Sequence, residues 1–224
     1  RSFPTLADRC AAAGYRTVGV GKLHHTPQQS GSHEAPYFGF QELDSTEDNR
    51  VGGYLDWAVR SFPEHEGYLL GSTFNIPTNE DWWRGRRDFR AQHLELRKQH
   101  VLPHEFSPRA NWGFGHHSPL PPEAFQSHWI AERCLERLAR HRDDQPLLLY
   151  AGFVDPHNPC APPAKWQAAY PDASIEDRIA NAAEQAHWPP HHRSLHQYFS
   201  AWTEDDFRHL RGLYYGCISF MDEQ

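Results

Sequence analysis

The sequence predicts an α/β fold built on a mostly parallel sheet, and three observations carry that reading. The first is a capped helix, a glycine turn and a β-prone run within Thr5–Val20. The second is a long amphipathic helix from Pro122 to Arg142, followed by Pro146–Phe153, a strand apolar on both faces. Helix followed by doubly apolar strand is half of a βαβ unit, and such strands are buried in parallel sheets. The third is that chemically loaded residues follow both strands at once. Open α/β folds bind ligands outside the carboxyl ends of their strands.

Taken in order, Phe3–Ala13 reads as a helix. Thr5 caps it, Asp8 sits three residues on, and Leu6, Cys10 and Ala13 form an apolar stripe. Gly14 ends it, since a residue without Cβ takes the left-handed conformation cheaply. Thr17, Val18 and Val20 favour a strand. Thr26–Arg50 is polar and broken by Pro27, Gly31, Pro36 and Gly39, so it is expected as loop, with Tyr37-Phe38-Gly39-Phe40 as its sticky patch. Tyr54–Arg60 and Glu80–His100 read as helices. Phe62–Asn79 and Val101–Pro122 read as loops, and the whole stretch from about 26 to 122 as an insertion-rich region beside the ligand-binding edge. In Pro122–Arg142, Pro122 suits the first helical position, and Ile130, Cys134 and Leu138 repeat along one face, flanked by Ala131 and Leu135. Ala164–Tyr170 is a short helix and Pro171–Ser200 irregular. Trp202–Gln224 is a helix capped by Thr203, with Phe207, Leu210, Tyr214, Cys217 and Met221 along one face.

Composition narrows the function. With 22 basic against 29 acidic residues the net charge is −7, which argues against a nucleic-acid surface. No apolar run approaches the roughly 20 residues of a membrane span. Cys10, Cys134, Cys160 and Cys217 have neither metal-ligand spacing nor the pattern of a disulfide framework. Periplasmic, secreted and cytoplasmic locations all fit. The 17 histidines keep a His-rich metal-binding protein open as an alternative. Their pairs, His24-His25, His116-His117 and His191-His192, are far apart and lack compact metal-site spacing, so a solvated surface is the expectation for most of them.

Two stretches carry the chemistry. Gly19 and Gly21 thin the backbone before Lys22, and Lys22 and His24, two apart in an extended run, point the same way. The second is Asp155-Pro156-His157-Asn158-Pro159, with His157 held between prolines at the mouth of the second strand. Gly14-Tyr15-Arg16-Thr17 followed by Gly21-Lys22-Leu23-His24 resembles the sulfatase signature GY-x-T…GKWH, with Leu23 where Trp is commoner. Pro146–Tyr150 followed by Asp155–Pro159 is similar to the sulfatase segment of a hydrophobic strand and P-H-x-P. The match runs in order from about Thr5 to Gln224.

The resemblance implies an alkaline-phosphatase-like α/β/α sandwich, here incomplete at both ends, in which residues 1–224 form part of one catalytic domain that hydrolyses sulfate esters. It places Lys22 and His157 at the sulfate group and its bridging oxygen, and His24 at the nucleophile. It also implies a formylglycine made from Cys or Ser in a C/S-x-P/A-x-R motif, and a divalent metal, usually calcium, held by acidic residues. Neither is found here: Cys160-Ala161-Pro162 lacks the Arg and follows the wrong motif, and no metal ligands are assigned within the 224 residues. The resemblance therefore reads the chain as an internal piece of a longer enzyme, inactive and without tight calcium binding by itself. It implies a small-molecule or carbohydrate sulfate ester as substrate. Phosphonate monoester or phosphodiester hydrolysis on the same scaffold, and a non-catalytic relative, remain alternatives. Lys22, His24 and His157 are expected to converge in space.

Overall fold

The computed structural model describes residues 3–25, 35–78, 80–101, 114–142, 144–177, 187–200 and 202–224. Helix α1 (Leu6–Ala12) begins at the capping box of Thr5 and Asp8 and ends before Gly14 at φ +88°. It feeds β1 (Arg16–Gly21), which lies between β2 (Glu42–Ser45) and β3 (Leu147–Gly152). Both pairings are parallel, with Val18 opposite Glu42 on one side and Leu149 on the other. All three carboxyl ends therefore share one edge.

The side-chain alternation of β1 builds the two faces. Val18 and Val20 join the main core with Ile130, Tyr54 and Trp129. On the opposite face the ring of Phe40 and the side chain of Leu43 lie against Gly19, in a smaller core with Ala7, Leu23 and Tyr37. Helices α2 (Gly53–Ser61) and α6 (Gln126–Ala139) supply the first face and α1 the second. Between them in sequence come α3 (Glu66–Gly71), α4 (Glu80–Trp83) and α5 (His93–His100). After β3 come α7 (Ala164–Ala168), α8 (Pro190–Tyr198) and α9 (Glu204–Glu223), the last opened by a capping box of Thr203 and Asp206. No helix among the described residues is long and apolar enough to cross a membrane.

Several expectations are corrected. Residues 42–45, expected as loop, form β2. Only Leu43 of the four is hydrophobic, because Glu42 and Asp44 are spent on ion pairs. Glu42 takes the guanidinium of Arg16 on both oxygens, at 2.6 and 3.0 Å, and Arg137 reaches Glu42 at 2.6 Å and Asp44 at 2.7 Å. The Phe62–Asn79 and Pro171–Ser200 stretches hold α3 and α8. The Glu80–His100 helix divides in two, with Gly85 at φ +78° in the turn after α4. The long helix starts at Gln126, after a separate 3-10 turn at Pro122–Ala124. Among the described residues β3 is an outer strand, as is β2, with Tyr150 41% exposed, and β1 is the central one. The stripe read for α1 is turned, since Ala7 is buried and Leu6 exposed. In α9 the buried face is Gly212, Leu213, Gly216, Cys217 and Phe220, not the Phe207–Tyr214–Met221 line. A Cβ on Gly212 would stand 2.7 Å from the Tyr170 carbonyl, and one on Gly216 2.9 Å from Pro162, so the small residues mark where backbones meet. Parts of the 26–122 region, residues 26–34, 79 and 102–113, and the 178–186 stretch lie outside the described residues.

The sheet's ionic clamp has a pH signature. The Arg16 hydrogen bond holds the Glu42 carboxyl below its ordinary value of 4.5, against the opposing effect of burial. A carboxylate whose folded pKa lies below its unfolded one adds stability above the unfolded pKa, and this is lost as pH falls through the folded value. Glu42→Gln is therefore expected to cost about 1 kcal/mol near neutrality, and the cost should shrink below pH 4.5. Urea unfolding of both proteins at several pH values measures it, and a pH-independent difference contradicts the assignment.

Candidate active site

Three strand ends converge. β1 closes at Gly21, whose φ is +89°, and the next amide, that of Lys22, donates to the Gly152 carbonyl of β3 at 2.7 Å. The Thr46 amide beyond β2 donates to the Gly21 carbonyl at 3.2 Å. From this knot Lys22 and His24 leave β1, Glu47 and Asp48 leave β2, and Asp155–His157 leave β3. The extended run expected past β1 does not continue, with Gly21 at φ +89° and His24 at φ +50°, yet Leu23 turns into the smaller core and Lys22 and His24 approach the same carboxylate. His25 packs on Phe38 with ring centroids 4.8 Å apart.

That carboxylate is Asp48, which is 7% exposed. Its Oδ1 lies 3.8 Å from Lys22 Nζ and 3.9 Å from His24 Nδ1, and its Oδ2 lies 3.3 Å from His157 Nε2. Lys22, His24 and His157, separated by up to 135 positions in sequence (157 − 22), thus gather around one acid. Glu47, 2% exposed, accepts the His24 backbone amide at 2.9 Å and faces His24 Nδ1 at 3.1 Å. The His157 loop turns back on itself: its Nδ1 lies 2.6 Å from the Asn158 carbonyl, and the peptide bonds before Pro156 and Pro159 are cis.

The layer beneath fixes these loops. Gln126, opening α6, donates to the Thr46 hydroxyl at 2.6 Å and to the Glu47 carbonyl at 2.7 Å. Ser127 donates to Asp155 at 2.5 Å, and burial pushes the Asp155 carboxyl up. Arg50 donates to Ser72 at 2.7 Å beside Tyr68, whose hydroxyl meets His116 Nε2 at 2.8 Å. His116 is buried, contrary to the surface expectation for the histidine pairs. Desolvation, aided by the positive charges of Arg50 and Arg97, pushes its pKa down to about 3, so it stays neutral. Cys160 is buried next to Cys217, its Sγ 3.9 Å from the Pro156 carbonyl.

Sequence reasoning missed Glu47 and Asp48. They follow a strand that was not recognised, and consecutive acids in a polar stretch read as solvated. The usable signal was positional, because acids just past a parallel strand share the edge reached by Lys22 and His157.

The sequence assigns no metal ligands within the 224 residues, whereas His24, Glu47 and Asp48 bring one nitrogen and two carboxylates within 4.8 Å of one another. Asp48 Oδ1 is buried without a hydrogen bond to any of the described residues. The set nevertheless does not fit calcium, which takes 6–8 oxygen ligands. Glu47 is already engaged by His24, and the Lys22 ammonium at 3.8 Å already balances Asp48. These acids are read as counter-ions of the basic side chains.

The chain resembles known proteins in both sequence and fold. The chain is 29% identical over 99 residues, 44% of its length and 20% of the relative's, to the uncharacterized sulfatase YidJ of Escherichia coli. It is 22% identical over 221 residues, 98% of its length and 41% of the relative's, to an arylsulfatase of Clostridium perfringens. This chain is similar to sulfatases in sequence. Its fold is alkaline-phosphatase-like. The phosphonate monoester hydrolase of Agrobacterium radiobacter superposes with a TM-score of 0.62 at 19% identity, and that of Silicibacter pomeroyi with 0.57 at 14%. Each match covers 99% of this chain and 42% of the neighbour. No family model matches. The chain thus spans less than half the length of the proteins it resembles.

Proposed function

We propose that this chain is part of the catalytic domain of a longer sulfatase that hydrolyses small-molecule or carbohydrate sulfate esters. The observation that carries the reading is the convergence of Lys22, His24 and His157 on Asp48 at the common carboxyl edge of β1, β2 and β3. A sulfate monoester needs a nucleophile on sulfur, positive charge at its non-bridging oxygens and a proton for the departing alkoxide. Lys22 supplies fixed positive charge, the main electrostatic lever for such a transfer. On this reading His157, whose side chain is 37% exposed and so open to solvent, gives a proton to the bridging oxygen. His24 serves the nucleophile. A formylglycine and a divalent metal, calcium by resemblance, would supply nucleophile and further charge from outside these 224 residues.

A second reading is phosphonate monoester hydrolysis, the activity named for both structural neighbours, with phosphodiester hydrolysis as its counterpart on the same scaffold. Those tetrahedral anions would use the same three side chains. The test is turnover of a chromogenic aryl sulfate by the full-length protein and by the 224-residue chain. Full-length turnover with none in the short chain is expected. Turnover by the short chain that disappears in His157→Ala would contradict the assignment of nucleophile and metal to other segments.

A further inference from the structure

We propose that Glu47 is the positioning residue for His24, fixing both its backbone and the proton on its ring. One carboxylate holds one residue twice: Oε1 accepts the His24 backbone N–H at 2.9 Å, and Oε2 lies 3.1 Å from Nδ1 of the same residue. The backbone needs such a hold, because His24 sits at φ +50°, in the left-handed region that side chains disfavour. The ring needs it too, since the His24 side chain is 53% exposed whereas that of Glu47 is 3% exposed. Glu47 is itself anchored, its carbonyl accepting from Gln126 at 2.7 Å and from the Arg50 amide at 2.9 Å.

An ionised carboxylate is acceptor only, so Nδ1 must donate to it. In neutral His24 the proton is therefore on Nδ1, and Nε2, across the ring, is left as the nitrogen offered to substrate or nucleophile. Glutamine at position 47 breaks this logic. Its amide oxygen can still accept the backbone N–H, but its NH₂ then faces Nδ1 as a donor and favours the opposite tautomer. A carboxylate that merely filled space would leave the ring proton indifferent to this change.

The tautomer is read by nitrogen NMR of the ¹⁵N-histidine-labelled 224-residue chain, with His24 signals assigned by their loss in His24→Ala. The expected result is an Nδ1–H tautomer in the wild type and a shift toward Nε2–H in Glu47→Gln, with the other histidines unchanged. Glu47→Asp, which keeps the charge but shortens the reach, is expected to give a mixture; it also serves if the glutamine variant fails to fold. An unchanged His24 tautomer in a folded variant overturns the proposal. The kinetic arm rests on the sulfatase reading. In the full-length enzyme Glu47→Gln should lower kcat about 10- to 100-fold with KM within about twofold, and Glu47→Asp should recover part of the loss. A wild type without sulfate-ester turnover would defeat the sulfatase reading, while the NMR arm still decides the role of Glu47.

Discussion

Replacing Lys22 by alanine in the full-length enzyme is expected to lower kcat/KM for an aryl sulfate by about 10²-fold or more, and His157→Ala by a similar factor. In the proposed reaction each loss removes one group facing the charge that develops on the transferring oxygens. Lys22 has a second duty. Its ammonium lies 3.8 Å from the nearly buried Asp48, and its removal leaves that acid facing only His24 and His157. An uncompensated buried charge is costly, so Lys22→Ala should also lower the unfolding temperature, whereas His157→Ala should not do so to the same degree. Lys22→Arg keeps the charge but replaces a compact ammonium by a planar fork, and should restore stability better than rate. Steady-state kinetics with parallel thermal unfolding separates the two effects. Near-wild-type rates in folded variants would remove these residues from the site.

Gly21→Ala is expected to cost about 2–5 kcal/mol of stability, combining a left-handed backbone penalty of about 1–2 with an overpacking penalty of about 1–3. A Cβ there would stand 2.1 Å from the Gly152 carbonyl and 3.1 Å from Ile130 Cδ1. That carbonyl is the one that accepts the Lys22 amide, so β1 and β3 must part where the Lys22 and His157 loops begin. Activity should fall with stability. Gly14→Ala provides the control: φ is +88°, but no atom lies within 4 Å of the added carbon, so only the backbone penalty applies. Thermal unfolding of both variants reads the difference, at about 2–4 °C per kcal/mol for a chain of this size. Equal shifts would show that the approach of Gly21 to β3 is not what the residue is there for.

What the sequence disclosed was local chemistry. Thr5 and Thr203 announce helix starts because a hydroxyl followed three residues later by an acid satisfies exposed amides, and both boxes form. Lys22, His24 and His157 were legible because strand-end motifs place side chains at a shared edge. What escaped depends on partners distant in sequence. β2 is a strand because Glu42 and Asp44 have arginines from β1 and α6 to meet, which no window of 42–45 contains. Glu47 and Asp48 are functional candidates because β2 delivers them to cations from β1 and β3. The face of α9 is set by where Gly212 and Gly216 let it approach Tyr170 and Pro162, which hydrophobic spacing alone does not encode.

The most direct test of the central claim compares kcat/KM of the full-length protein for an aryl sulfate and for an aryl phosphonate monoester, in the wild type and in His157→Ala. The account predicts that the sulfate ester is the better substrate of the wild type and that His157→Ala removes most of that turnover. A wild type that prefers the phosphonate, or sulfate hydrolysis indifferent to His157, would contradict it.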